Sequence, residues 1–211
     1  MKKAFAIVLI ACAAFGIAFA KSADIKVGGQ LGFGGMSLKA FPDPDDSSSY
    51  IRIGLGGFMF AGTAEYQVSD ALSARAEVGM NIFGKAKVTN YVAGHEVPAE
   101  QPDTPAGAHF IIYLGAQYNL QLTKEISLGL GAGFDVLMGK LVATDEEDTF
   151  NAGMGLGAEV VGSYAIDKNI SINLGGKFAW HFINTNKDMN EELGNITNLA
   201  YQIFAGATYA L

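Results

Sequence analysis

Beyond residue 21 the chain shows no helical spacing of apolar residues. They recur instead at every second position, in segments separated by polar or turn-forming residues. The last segment is the clearest: Leu199, Tyr201, Ile203, Ala205, Ala207, Tyr209 and Leu211 share one face, and Asn198, Ala200, Gln202, Phe204, Gly206, Thr208 and Ala210 the other. The same period runs through 25–33, 72–82, 110–122, 126–138, 150–166 and 170–182, and with 50–68 these segments predict eight β-strands. In 50–68 the pattern keeps phase only through a bulge at Gly56-Gly57, which would carry the apolar set from Ile51, Ile53 and Leu55 to Phe58, Phe60 and Tyr66.

Connections of two kinds alternate. Ser69-Asp70-Ala71, Thr123-Lys124-Glu125 and Asp167-Lys168-Asn169 each separate a pair of apolar residues, as three-residue hairpins do. The stretches 39–49, 87–107, 140–149 and 184–197 are long and polar. Tight turns at one end and long loops at the other predict an all-β, up-and-down antiparallel barrel of eight strands, with both termini at the tight-turn end. Residues 164–175 echo 118–129, each covering one hairpin.

Volume decides which face is outside. One face carries Leu128, Leu130, Phe134, Met138, Phe178, Trp180 and Phe182, more bulk than an eight-stranded lumen can hold. The other carries Gly129, Gly131, Gly133, Gly153, Gly155, Gly157, Gly175 and Gly206. A soluble barrel around an apolar cavity would need the reverse, so the bulky face points into lipid and the barrel is transmembrane. Tyr66, Tyr118, Tyr164 and Tyr209 near the hairpin end, and Phe83, Phe110, Phe134, Trp180 and Phe182 toward the loop end, fall where two interfacial girdles belong.

The N-terminus supplies an export signal. Met1, Lys2 and Lys3 precede an apolar run that ends in Ala18-Phe19-Ala20, a small-residue cleavage site, so residues 1–20 read as a signal peptide and 21–211 as one barrel domain. Two rivals stay open: an uncleaved anchor, and a lipobox Leu9-Ile10-Ala11-Cys12 that would lipidate Cys12. Cys12 is the only cysteine, so a mature chain from Lys21 has neither a disulfide nor a thiolate metal site. Losing Lys2 and Lys3 takes the net charge from −7 to −9, which argues against nucleic acid as a partner.

With these hairpins and the alternating final strand 201–211, the chain resembles the eight-stranded outer-membrane barrels of the OmpA, OmpX and OmpW type over essentially the whole of 21–211. The resemblance implies the bacterial outer membrane, periplasmic termini, extracellular long loops, and a last strand read by the barrel-assembly machinery. In that pattern the last residue is usually aromatic, whereas here it is Leu211. OmpW-like proteins are associated with passage of small hydrophobic molecules.

On the face away from lipid stand Glu65, Arg75, Glu77, Glu159 and Lys177. The tight turns set Glu65 opposite Arg75 and Glu159 opposite Lys177, as two lumen ion pairs that either plug the barrel or gate it. His109, Asp135 and His181 share that face toward the loop end, with Asp135 close to His109. There is no His-x-Ser pair, and the inward serines Ser73, Ser127, Ser163 and Ser171 lie toward the other end, so no catalytic triad is expected. Nor is any cofactor or protein-held metal expected. Thirteen of 21 carboxylates crown the loops, at Asp43, Asp45, Asp46, Glu96, Glu100, Asp103, 145–148, Asp188, Glu191 and Glu192, as a solvated surface or a weak divalent-cation site.

Two functions follow. One is a monomeric, non-enzymatic scaffold held in outer-membrane lipid, presenting loops to host or envelope ligands for adhesion or envelope integrity. The alternative is a narrow porin-like or OmpW-like channel for small or hydrophobic solutes, running along the inward glycines.

Overall fold

The computed structural model describes residues 25–40, 48–84, 86–99, 107–142, 148–184 and 196–211. The proposed signal peptide, Cys12 and most of the acidic loop residues lie outside these. Ten strands form one antiparallel sheet: β1 (Ile25–Ala40), β2 (Tyr50–Gln67), β3 (Leu72–Phe83), β4 (Lys87–Val92), β5 (His95–Val97), β6 (Ala108–Gln121), β7 (Ile126–Val142), β8 (Asp148–Ala165), β9 (Ile170–Asn184) and β10 (Ile196–Ala210). Because β1 pairs with both β2 and β10, eight of them, all but β4 and β5, close into a barrel. Closure pairs the backbone groups that hydrocarbon would otherwise leave unsatisfied.

The three tight turns form as expected. Val68, Leu122 and Ile166 donate backbone bonds of 2.8, 2.9 and 2.9 Å to the carbonyls of Leu72, Ile126 and Ile170. The first residue of each turn caps the following backbone with its side chain: Ser69 Oγ accepts from Leu72, Thr123 Oγ1 from Glu125 and Ile126, and Asp167 Oδ1 from Asn169 and Ile170.

One connection and one strand depart from expectation. The stretch after β3 is not simply loop: beyond Phe83, Gly84 bonds Gly56 and β4 continues up the edge of β2, with Tyr50 opposite Tyr91 and Gly54 opposite Lys87. Ala93 and Gly94, at φ 50° and 80°, form a two-residue turn in the left-handed region, and β5 returns along β4, so His95 is a strand residue. The proposed bulge at Gly56-Gly57 is absent. The β1–β2 ladder runs without a shift from Ile25 opposite Tyr66 to Ala40 opposite Ile51, which turns Leu55 into the lumen. The register shift in the β8–β9 ladder falls instead at Met154/Gly155.

The outer wall is apolar. Leu130, Phe134, Trp180, Phe182, Tyr118, Tyr164 and Tyr209 are exposed on it, and Tyr66 shares their face, half-buried. Phe83 departs from this set: it is 4% exposed and points inward, because strict alternation along β3 puts it with Arg75, Glu77 and Asn81. No described helix is long and apolar enough to cross a membrane; the closed, apolar-walled barrel makes the crossing with its strands. With 12 to 18 residues each, the barrel strands exceed the 9–11 or so that a tilted span needs.

Candidate functional site in the lumen

Alternation sends one residue in two of every barrel strand inward, and in so narrow a barrel those side chains meet across the lumen. At the hairpin end they are small and polar. Arg75, Gln117, Asn119, Ser127, Ser163, Ser171, Asn173 and Thr208 line a vestibule of about 190 Å³ with Lys26 and Glu65 at its mouth, 3.8 Å apart. Gln117 donates to Asn119, Asn119 to Ser73 and Asn173 to Thr208, at 2.7, 3.0 and 3.3 Å.

Above the vestibule lies a continuous charged layer. Arg75 Nε is 3.2 Å from Glu159 Oε1, and its Nη2 donates to Gln30 Oε1 at 3.3 Å. Gln30 Nε2 donates to Glu77 Oε2 at 2.7 Å. The other oxygen of Glu77 takes Lys177 Nζ at 2.8 Å, and the same ammonium lies 3.0 Å from Asp135 Oδ2. Asp135 Oδ1 then meets His181 Nε2 at 2.9 Å. Seven buried side chains from β1, β3, β7, β8 and β9 thus form one chain across the lumen. Tyr113, fully buried, sets its ring 4.9 Å beneath Lys177 Nζ. A charge buried this deeply is tolerable only when paired, and each of these has an opposite charge within ion-pair distance.

The expected pairs are corrected in one respect. Glu65 does stand opposite Arg75 and Glu159 opposite Lys177 in the ladders. The side chains bond elsewhere: Arg75 with Glu159, Lys177 with Glu77 and Asp135, and Glu65 with Lys26. Arg75 and Lys177 reach past those ladder partners to strands across the lumen, whereas Glu65 pairs with its ladder partner on the other side, Lys26 of β1. Asp135 likewise stands opposite Tyr113 and serves His181 rather than His109. His109 packs instead against Phe83, ring centroids 5.1 Å apart and edge to face, with neither ring nitrogen hydrogen-bonded to a described residue.

The inward glycines do not line a path. Four of them seat large side chains from other strands. A Cβ at Gly131 would lie 2.5 Å from Glu159 Cγ, at Gly129 2.5 Å from Gln117, at Gly175 2.7 Å from the Phe204 ring and at Gly157 3.3 Å from the Tyr113 ring. Phe204 joins Met59, Ala61 and Val161 in a buried apolar cluster. Toward the loop end a second cluster, Met36, Leu38, Leu55, Phe83 and Leu137, fills the lumen with side chains 2 to 4% exposed. The cavity left between this cluster and the charged layer is about 10 Å³, room for about one water. Sequence reasoning missed this apolar cluster and the central roles of Gln30, Glu77 and Tyr113. Inward position in each strand was the available signal.

Chemically the layer can neutralise, brace and occlude. The inward serines Ser127, Ser163 and Ser171 line the vestibule, away from the Asp135–His181 pair. Among the described residues no group of three His, Cys, Asp or Glu side chains is placed to hold a metal.

Comparison with known proteins accords with this architecture. No curated protein is significantly similar in sequence. Neisserial surface protein A superposes with a TM-score of 0.57 at 16% identity, over 89% of this chain and 97% of that one. OprG of Pseudomonas aeruginosa gives 0.54 at 12%, over 90% and 97%. The outer membrane protease OmpT of Escherichia coli gives 0.53 at 11%, over 90% and 98%. At such identities the likeness is one of fold. The family described as outer membrane protein beta-barrel domain matches residues 4–194. With a closed eight-stranded wall, an apolar exterior and that match over most of its length, the chain belongs to the outer membrane protein beta-barrel domain family and resides in the bacterial outer membrane.

Proposed function

We propose that this barrel is a sealed, non-enzymatic scaffold with periplasmic termini, and that it anchors extracellular loops for adhesion or envelope integrity. The single observation that carries this reading is the occluded lumen: the seven-residue charged chain lies beside an apolar cluster, with about 10 Å³ of cavity between them. Such filling braces a wall and stops flow. In this reading the barrel is a monomer, its lipid-facing wall holds it in the membrane, its last strand meets the assembly machinery, and host or envelope ligands meet the loops. The mature chain begins at Lys21, which intact mass of envelope-derived protein tests; a triacylated species starting at Cys12 would overturn that start.

A second reading, a narrow passage for small or hydrophobic solutes, draws on the vestibule of about 190 Å³, which takes a path partway from the hairpin end. Planar-bilayer recordings separate the two. The sealed scaffold gives no stepwise current in the native protein and none in Lys177→Ala, which loses stability only. Steady native conductance, or a current released by Lys177→Ala, would establish the passage.

A further inference from the structure

The larger cavity of the lumen lies at the hairpin end, and its lining divides into two unlike walls. One wall, from β7 to β10, is uncharged and carries Ser127, Ser163, Asn173, Ser171 and Thr208. The first three are successive ladder partners, Ser127 opposite Ser163 and Ser163 opposite Asn173. Ser171 stands opposite Thr208 in the next row toward the turns. Two hydroxyls and an amide therefore stand at one height on three adjacent strands, spaced by the roughly 4.8 Å that separates paired strands. A hydroxyl both donates and accepts, so this wall can meet either kind of group.

The facing wall, from β1 to β3, is charged. Arg75 forms part of it although the residue is only 5% exposed. Of the five N–H groups on its guanidinium, the one on Nε faces Glu159 and one on Nη2 bonds Gln30, which leaves three. Lys26 Nζ and Glu65 Oε1 stand 3.8 Å apart at the mouth, beyond hydrogen-bond distance, so the ammonium keeps its donors and the carboxylate its acceptors. Asp70, in the turn after β2, completes the charged lining. Lys26 and Arg75 against Glu65 and Asp70 cancel, and the vestibule has no net charge.

We infer that the vestibule binds one small neutral polyol, its oxygens held between the Ser127–Ser163–Asn173 row and the Arg75, Glu65 and Lys26 side chains. The cavity of about 190 Å³ exceeds the roughly 150 Å³ that admits a benzene ring, which suits a chain of about four carbons with its hydroxyls. A lining without net charge favours a neutral solute over an ion, and its mixture of donors and acceptors favours hydroxyls, which are both. Val161, from the buried cluster around Phe204, offers the apolar contact for the C–H edge of the chain. Among the described residues no aromatic ring lines the vestibule, so the binding is weak and rests on hydrogen bonds. The charged layer closes the inner end, and in a sealed barrel the polyol is held rather than passed. Steady native conductance would overturn the sealing and leave the binding result standing.

The test is methyl NMR of the refolded mature protein in lipid nanodiscs, read at Val161 and Thr208 and titrated with erythritol. Saturable shifts are expected at both residues, with Kd on the order of 10 mM for a ligand of about eight non-hydrogen atoms. Butane-1,4-diol, which lacks the inner hydroxyls, and erythronate, which carries a charge, should each bind roughly fivefold more weakly or worse, as should erythritol to Ser127→Ala/Ser163→Ala. Lys168→Gln, in a turn outside the vestibule, should bind like the native protein. Heat-dependent gel mobility verifies that each variant is folded; should the double variant fail that check, the three solutes on native protein decide alone. Shifts that rise without saturating, equal binding of the diol or of erythronate, or a folded double variant with native affinity would each overturn the inference.

Discussion

In the hairpin half of the lumen the inward residues include Ser73, Gln117, Ser163, Asn173 and Thr208, and a vestibule of about 190 Å³ remains. In the loop half they include Met36, Leu38, Leu55, Phe83 and Leu137, and the cavity beneath them is about 10 Å³. The same alternation of strand residues builds both, yet one half is a wet cup and the other a dry stopper. The charged layer sits where they meet, its charges paired with one another and its loop side covered by the apolar cluster. A membrane barrel can thus bury apolar side chains on both faces at one height and on only one face at another.

The largest way to break this contrast is to remove the cation that ties the layer together. Lys177→Ala leaves Glu77 and Asp135 buried without their ammonium and should cost about 3–5 kcal/mol, read from urea unfolding in lipid vesicles. Double-mutant cycles sharpen the point: coupling should appear for Lys177 with Glu77 and for Arg75 with Glu159, and be weaker for Glu159 with Lys177. The strongest coupling in the last pair would mean that ladder neighbours, not cross-lumen partners, hold the charges.

Next comes the stopper. Leu137→Ala should cost about 2–5 kcal/mol by the same assay, because the closed wall around Leu137 has little freedom to collapse onto the space. A change below 1 kcal/mol or so would mean that the loop half is as loosely filled as the vestibule.

The eight barrel strands, the three hairpins and the register beside those hairpins were legible in the sequence because a period of two combined with three-residue turns leaves little freedom to slip. Which side chains touch was not legible. A bulge at Gly56-Gly57 is needed only if apolar Leu55 faces lipid, a rule that holds only where the lumen is wet. Phe83 breaks the same rule by filling the dry half of the lumen. The glycine run suggests a path because a missing side chain reads as space, whereas Gln117, Glu159 and Phe204 from the adjoining strand, and Tyr113 from two strands away, occupy that space. The outer cluster of Tyr50, Arg52 and Tyr91 was equally hidden, since these residues meet only through the pairing of β2 with β4.

In the vestibule the same kind of substitution should be nearly silent. Asn173→Ala removes a 3.3 Å bond to Thr208 beside a cavity that admits solvent, so about 1 kcal/mol or less is expected. A loss matching that of Leu137→Ala would erase the contrast between the halves.

The smallest effect lies below the vestibule, in the turns, where one cap of three is ionisable. Asp167 Oδ1 accepts backbone N–H bonds from Asn169 and Ile170 at 2.7 and 2.8 Å, and these hold its carboxyl below the ordinary value of 3.8. A depressed carboxylate stabilises the turn above its unfolded value and loses that contribution as pH falls through the lower, folded one. Thr123 makes the corresponding bonds with a hydroxyl that does not titrate in this range. Between about pH 5 and 2, amide shifts and hydrogen exchange at Asn169 and Ile170 should therefore change with a midpoint below 3.8, while Glu125 and Ile126, once Glu125 is replaced by Gln, stay level. Asp167→Asn should flatten the first profile without disturbing the strands on either side. A midpoint at or above 3.8 would show that the carboxylate is not the cap. Parallel changes at both turns would place the titrating group in the barrel rather than in the turn.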